Sequence, residues 1–244
     1  MKTLVIIPSR LTAMRLPGKP LLKINGLSII SHVFKKAEEA NIGEVMVATE
    51  DQEIIEDVKQ NGGQAILTSN EHKTGTDRIY EAIQKLGRSD IDYVMNLQGD
   101  EPLMNIEDIK NLNNKMIKSK CQLGTLASKV SDKKLYSDQN VVKVVTKESL
   151  VTSNFPEALD FIRKISNVSE NIYHHLGIYC YQLETLKNFV SYSQSPNEIK
   201  NKLEQLRALD NNIKINVALA KSSPIGVDTQ EDFVAIKKIM EYKS

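Results

Sequence analysis

The sequence predicts an α/β fold: a mostly parallel central sheet with helices on both faces and an embedded, smaller irregular lobe. Three observations point there. Short apolar runs rich in Val and Ile alternate with amphipathic segments of helical period through the first hundred residues. Gly or Pro punctuates most of the junctions. Later strand-like runs are less regularly spaced, which marks the lobe.

Residues 3–8 (TLVIIP) read as a buried strand stopped by Pro8. Residues 27–41 carry apolar residues at helical spacing and end near Gly43. A strand over 44–49 follows, then a helix over 51–61 that stops at Gly62-Gly63. A short strand at 64–67, a helix over 76–86 and an apolar strand at 92–97 complete the alternation. Beyond it, 122–130, 140–146, 176–181 and 213–220 read as strands, 197–209 and 228–242 as helices. The stretch 151–172 fits no period. With no linker, repeat or low-complexity tract, we expect one domain over residues 1–244 with the lobe inserted at roughly 122–182.

Composition narrows the function. A chain of 244 residues that is 41% hydrophobic can bury a sizeable core. Its net charge of +1 argues against nucleic acid or a membrane surface as partner, because both select a basic excess. Two cysteines make no disulfide framework and suit a reducing cytoplasm. The opening apolar run is too short for a signal-peptide core, and no stretch is long enough to span a bilayer.

Recognition must then be local, and the first loop is where charge concentrates. Residues 8–21 (PSRLTAMRLPGKPL) carry Arg10, Arg15 and Lys19 directly behind a strand, where open parallel sheets place ligands. A Walker loop is excluded, since Ala13 and Pro20 stand where it needs Gly and Ser or Thr; the GxGxxG fingerprint is absent too. Either this is a solvated basic turn, or its side chains hold phosphate, Arg by its fork and Lys as a point charge. Acidic counterparts follow. NLQGDEP (96–102) puts Asp100 and Glu101 at the end of a strand, where a carboxylate can hold Mg²⁺ against phosphates or simply make a turn. GVDTQED (226–232) puts Asp228 three residues before Glu231, the spacing of a helix N-cap and its capping-box partner, or of a second metal ligand. Cationic loop and carboxylates together suit nucleotidyl transfer, where catalysis is mostly positioning and charge neutralisation.

Six motifs in order carry a resemblance: PSR-x4-RLPGKPL, HxxGTDR (72–78), NLQGDEP, HLGIY (175–179), LEQLR (203–207) and GVDTxED. The chain resembles the 3-deoxy-manno-octulosonate (Kdo) cytidylyltransferases, the CMP-Kdo synthetases of lipopolysaccharide synthesis, from residue 3 to about 235. The resemblance implies a Rossmann-like three-layer nucleotidyltransferase fold whose lobe serves dimerisation and sugar binding. It implies CTP and Kdo as substrates, Mg²⁺ as cofactor and a cytoplasmic homodimer. It implies that Arg10, Arg15 and Lys19 hold the triphosphate; that Gly75, Thr76 and Arg78 lie against cytidine with Gln98 near nucleotide and sugar; that Asp100 and Asp228 bind the metal; and that His175, Tyr179, Glu204 and Gln205 read the sugar acid. Lys19, Asp100 and Asp228 would be the catalytic set. A sialic acid or another 2-keto acid sugar is the alternative substrate.

The chain departs from the family between 149 and 165 (beginning SLVTSNFPEALDFIRK), where an Arg and a Trp of the family pattern are missing. Arg163 or Lys164 is the expected replacement for that Arg, swinging onto the sugar carboxylate. His174-His175 is not expected to be a metal pair, because adjacent strand side chains face opposite ways.

Overall fold

The computed structural model describes residues 1–12, 15–130, 132–165 and 170–242. In chain order the elements are β1 (Thr3–Ser9), β2 (Lys23–Ile24), β3 (Leu27–Ser28), α1 (Ile29–Glu39), β4 (Gly43–Thr49), α2 (Gln52–Gln60), β5 (Ala65–Leu67), α3 (Gly75–Leu86), β6 (Tyr93–Asn96) and α4 (Ile106–Ser119). Then come β7 (Leu123–Ser128), β8 (Lys143–Thr146), β9 (Ala158–Ile162), β10 (Ile172–Gln182), α5 (Leu183–Ser191), α6 (Pro196–Asn201), α7 (Leu206–Asp210), β11 (Ile215–Leu219) and α8 (Gln230–Glu241). Short 3-10 turns cover Lys19–Leu21 and Lys133–Tyr136.

The chain divides into two compact units, and β6 contributes to each. The first unit comprises Lys2–Ile91, Met95–Ile109 and Pro224–Ser244. Its strands run β6–β1–β4–β5, with β1–β4 and β4–β5 parallel. Val5, Ile6 and Ile7 have no exposed surface, as a central parallel strand covered on both faces requires. A second cluster of Ile24, Ile29, Val227 and Ile236 fastens α8 against the β2–β3 hairpin and the start of α1.

The second unit comprises Asp92–Val94 and Lys110–Ser223, with Met1. It takes in the expected lobe at 122–182 and extends to either side of it. Here the sheet is mixed: β11 is parallel to β7, while β10 is antiparallel to both β7 and β8, and β8 to β9. The expected mostly parallel sheet is found, and these antiparallel ladders belong to the unit that contains the lobe.

Several elements differ from the sequence reading. The helix α4 was not foreseen, although Ile109, Leu112 and Met116 all point inward. Its three asparagines are poor helix formers, and packing overrides them: a Cβ at Gly124 on β7 would lie 2.5 Å from Met116 Sδ. The single helix expected at 197–209 is two, α6 and α7, broken at Lys202, whose φ of 53° is left-handed. The strand in the unassigned stretch is β9. Among the described residues no helix is long and apolar enough to cross a membrane.

Candidate functional site

The first unit holds a cavity of about 510 Å³ lined by Arg10, Arg15, Lys19, Gly75, Arg78, Gln98, Asp100 and Asp228, among others. Eight of the residues singled out from sequence thus meet in one place, drawn from the loop after β1, the start of α3, the segment just after β6 and the approach to α8. The described part of the cationic loop is closed on itself by Gly18 N donating to Leu11 O at 3.1 Å, and tied down by Leu11 N donating to Asp51 Oδ2 at 2.7 Å. Gly18 takes φ 70°, which glycine adopts without cost, and turns the chain so that Lys19 faces inward.

Lys19 is the centre of the arrangement. Its Nζ donates to Asp100 Oδ2 at 2.5 Å, to Val227 O at 2.9 Å and to Asp228 Oδ1 at 3.2 Å. Arg15 Nη2 lies 3.0 Å from the other oxygen of Asp228. Burial alone would lower the Lys19 pKa; the charge and hydrogen bond of Asp100, joined by those of Asp228, outweigh it and raise the value. Lys19 stays an ammonium. Its side chain is only 14% exposed, while that of Arg15 is 62% exposed.

Asp228 does not cap α8, contrary to the sequence reading. Thr229 is the N-cap, and the capping box runs between Thr229 and Asp232 rather than Asp228 and Glu231. Because the helix begins one residue later, both Asp228 oxygens are left to the cations. Glu101 also differs from Asp100. Its carboxyl is enclosed, Oε2 finds no hydrogen-bond partner among the described residues, and burial followed by the nearby Asp100 and Asp228 charges pushes its pKa up to about 8. It is a neutral acid behind the site, and Asp100 alone of the two faces the cavity.

The residues expected against cytidine divide in role. Gly75 lines the cavity beside Pro8. Thr76 is buried and is not part of the lining. Arg78 touches the cavity, but its guanidinium is engaged elsewhere: Nη1 donates to Thr68 Oγ1 at 2.6 Å and to Ser69 O at 3.2 Å, and Nη2 pairs with Glu50. It braces the wall rather than reaching into the cavity. Gln98 lines the floor beside Gly99, where a Cβ would lie 3.1 Å from Pro8 O. Sequence reasoning missed Thr12, His72 and Lys73 in the lining, and the anchor Asp51. His72 heads one of the motifs, so that signal was present; Asp51 was not to be found, because it reads as an ordinary acid at the N-cap of α2.

The second unit holds the other predicted set. His175 and Tyr179 are four residues apart on β10, which in a regular strand would separate them by about 13 Å. A bulge at Gly177-Ile178 removes two residues from the ladder, since His175 pairs with Ala127, Leu176 with Leu126 and Tyr179 with Thr125. The two rings consequently lie 5.5 Å apart. Thr125 holds the bulge: its hydroxyl donates to Ile178 O at 2.7 Å and accepts from His175 Nε2 at 3.0 Å. This fixes the His175 tautomer with its proton on Nε2 and leaves Nδ1 as an acceptor. Burial pushes the His175 pKa down to about 3, so the ring is neutral. Burial, then Tyr181 and Glu204, push the Tyr179 phenol well up, which places Glu204 in the same electrostatic neighbourhood. Gln205 is buried at the residue before α7. His174, as expected, is turned away from His175 and meets Ser223 Oγ at 2.8 Å.

Arg163 is not free to swing. Its guanidinium donates to Asn201 O at 2.9 Å, Gln139 O at 3.1 Å and Lys202 O at 3.0 Å. Lys164 is exposed.

Comparison with known proteins follows this geometry. Residues 4–215 match the family model described as cytidylyltransferase. The chain is 42% identical over 240 residues to the 3-deoxy-manno-octulosonate cytidylyltransferase of Afipia carboxidovorans, covering 98% of this chain and 96% of that one. The chain belongs to the 3-deoxy-manno-octulosonate cytidylyltransferase family. The relative from Brucella canis that carries the same name is 40% identical over 95% of this chain and 93% of its own. Among solved structures, a CMP:2-keto-3-deoxy-manno-octonic acid synthetase complexed with CTP superposes with a TM-score of 0.90 at 33% identity, covering 100% of both chains. A UDP-glucose pyrophosphorylase complexed with UDP-glucose, at 14% identity and a TM-score of 0.73, shares the fold of this cytidylyltransferase.

Proposed function

We propose that this chain transfers the cytidylyl group of CTP to Kdo, releasing pyrophosphate. A hydroxyl of the sugar acid gives up its proton to solvent as its oxygen forms a bond to the α-phosphorus of CTP, the α–β phosphoanhydride bond breaks, and the electron pair leaves with pyrophosphate. The observation that carries the reading is the convergence of Lys19 and Arg15 on Asp100 and Asp228 in one cavity, in a chain whose named relatives perform this reaction.

Mg²⁺ belongs to this reading, and the donor set fits it. Both carboxylates lie within 3.2 Å of a single Lys19 Nζ, so they approach one cation closely. Mg²⁺ binds through one or two carboxylates and takes its remaining ligands from phosphate and water. When bound it would neutralise charge developing on the phosphate oxygens. Asp100 and Asp228 would hold it, while Lys19 and Arg15 turn to the triphosphate. In the second unit a neutral His175, the Tyr179 hydroxyl, Glu204 and Gln205 would read the sugar hydroxyls. Kdo is favoured over a sialic acid by the names of the full-length relatives. A homodimer in the cytoplasm completes the reading; the free thiols Cys121 and Cys180 suit a reducing compartment.

Pyrophosphate release measured with CTP, Mg²⁺ and a panel of keto-acid sugars tests the assignment. Turnover with Kdo and little with sialic acid is expected; the reverse preference, or release independent of any sugar acid, overturns it.

A further inference from the structure

We infer that Arg163 is a positioning residue for sugar recognition, acting through the turn that carries Glu204 and Gln205; the inference rests on those two residues touching the sugar acid. The turn begins where α6 ends. Asn201 is the last residue of α6 and Lys202, its C-cap, stands in the left-handed region at φ 53°. A helix end leaves carbonyl oxygens without intrahelical donors. Two of them, Asn201 O and Lys202 O, each accept from the Arg163 guanidinium, through Nε and Nη2. The third bond, from Nη1, goes to Gln139 O, so one side chain ties the turn to the loop before β8.

Arg163 is itself anchored. Its carbonyl accepts from Lys143 Nζ at 2.7 Å, and the same ammonium holds Asp138 O at 2.6 Å and Val141 O at 2.8 Å. Lys143 is wholly buried on β8, so the backbone that carries Arg163 is anchored from the interior although the guanidinium's own contacts lie at the surface. On the far side of the turn, Arg207 reaches back to Glu198 through two hydrogen bonds of 2.6 and 2.8 Å, joining α7 to α6. Leu203, Glu204 and Gln205 hang between these two braces. Backbone bonds hold the corner locally, Leu203 N donating to Glu198 O and Leu206 N to Leu203 O, and Arg163 and the Arg207–Glu198 pair add the side-chain braces that tie it to its surroundings.

The chemistry selects arginine here. The three carbonyls accept from three different nitrogens of one guanidinium, a wider spread than the single nitrogen of an ammonium offers. The cation that the sequence offered to the sugar carboxylate directly is thus used one step removed, on the backbone that presents the sugar's other partners.

Initial-rate kinetics and CTP titrations on Arg163→Gln, Arg163→Lys and Gln205→Ala test this. Displacing a substrate-holding group by a fraction of an ångström costs on the order of tenfold, so Arg163→Gln is expected to raise the KM for Kdo about tenfold, with the KM for CTP and kcat within about twofold. Arg163→Lys should fall between that variant and the parent. An unchanged Kdo KM in Arg163→Gln overturns the proposal, as does a rise of the CTP KM in step with it, which would mean general loosening. Should Arg163→Gln fail to fold, Arg163→Lys decides on the same criteria. Gln205→Ala separates the two levels. If it raises the Kdo KM while the Arg163 variants do not, positioning by Arg163 is wrong and the sugar site stands. If it leaves the Kdo KM unchanged, the sugar reading of the turn is wrong and this inference falls with it.

Discussion

Lys19 Nζ lies 2.5 Å from Asp100 Oδ2, and the same nitrogen reaches Asp228 Oδ1. The two proposed metal ligands are therefore already bridged by the ammonium of a side chain proposed for the triphosphate. Cation and lysine compete for the same oxygens until phosphate draws the lysine away. Lys19→Met should then shift two affinities in opposite directions. Mn²⁺ alone should bind more tightly, on the order of tenfold for one charge-assisted hydrogen bond removed, while CTP binds more weakly by at least as much. Calorimetry with Mn²⁺ and with CTP reads both. A loss of both affinities would mean that Lys19 does not compete with the metal.

Asp100→Asn keeps the shape of the site and removes the charge. Turnover should fall by about 10² or more, as for other preorganised charge-stabilising groups, with the melting temperature within a few degrees of the parent. Wild-type rates at limiting Mg²⁺ would take Asp100 out of the reaction.

Asp228 and its neighbour Thr229 should separate function from stability. Thr229→Ala removes the cap of α8 and should cost about 1 kcal/mol with turnover retained. Asp228→Ala should do the reverse, abolishing turnover with little change in a melting curve. If Asp228→Ala destabilises as much as Thr229→Ala, the capping assignment is wrong.

Arg78 is 3% exposed and paired with Glu50. Arg78→Ala leaves a largely buried carboxylate uncompensated and should cost about 3–5 kcal/mol. Replacing both members, Arg78→Met with Glu50→Met, should recover much of that loss. Denaturant unfolding checks the pair; a mild effect of the single change would mean that the guanidinium contacts nucleotide more than wall.

His175 ties stability to pH. Its folded pKa, about 3, lies below its ordinary 6.5, so the unfolded chain takes up a proton that the folded one refuses. Its contribution is intact above pH 6.5 and is lost as pH falls toward 3, at roughly 1.4 kcal/mol per unit. His175→Gln keeps an amide donor for Thr125 and removes the titration. Its stability should decline less steeply between pH 6 and 4, by urea midpoints. Parallel slopes would show that His175 is not held neutral.

Much of the first unit was legible because its strands are continuous β-branched runs between glycines, and because three cations on one loop are unusual. The carboxylates proposed as catalytic were legible from their strand-end and helix-start positions. What failed depended on partners distant in sequence. Nothing near Arg78 announces Glu50, 28 residues earlier. The break at Lys202 uses a left-handed lysine where the sequence rule looks for glycine. The bulge in β10 depends on the hydroxyl of Thr125, about fifty residues before it. The cap of α8 was displaced by one residue because Asp228 and Thr229 are both good caps, and only the competing cations decide between them.

The first unit is assembled from three separate stretches, the last of which starts at Pro224. Its hydrophobic cluster joins Ile24 and Ile29 to Val227 and Ile236, and its lysine waits for Asp228. During synthesis, at roughly 5–20 residues per second, the ribosome has made the cationic loop some ten seconds or more before it makes the carboxylate that loop meets. For that interval the nascent chain carries an unfinished nucleotide site with its apolar seat for α8 uncovered. Chaperone capture of ribosome-bound chains should be strongest before residue 224 emerges.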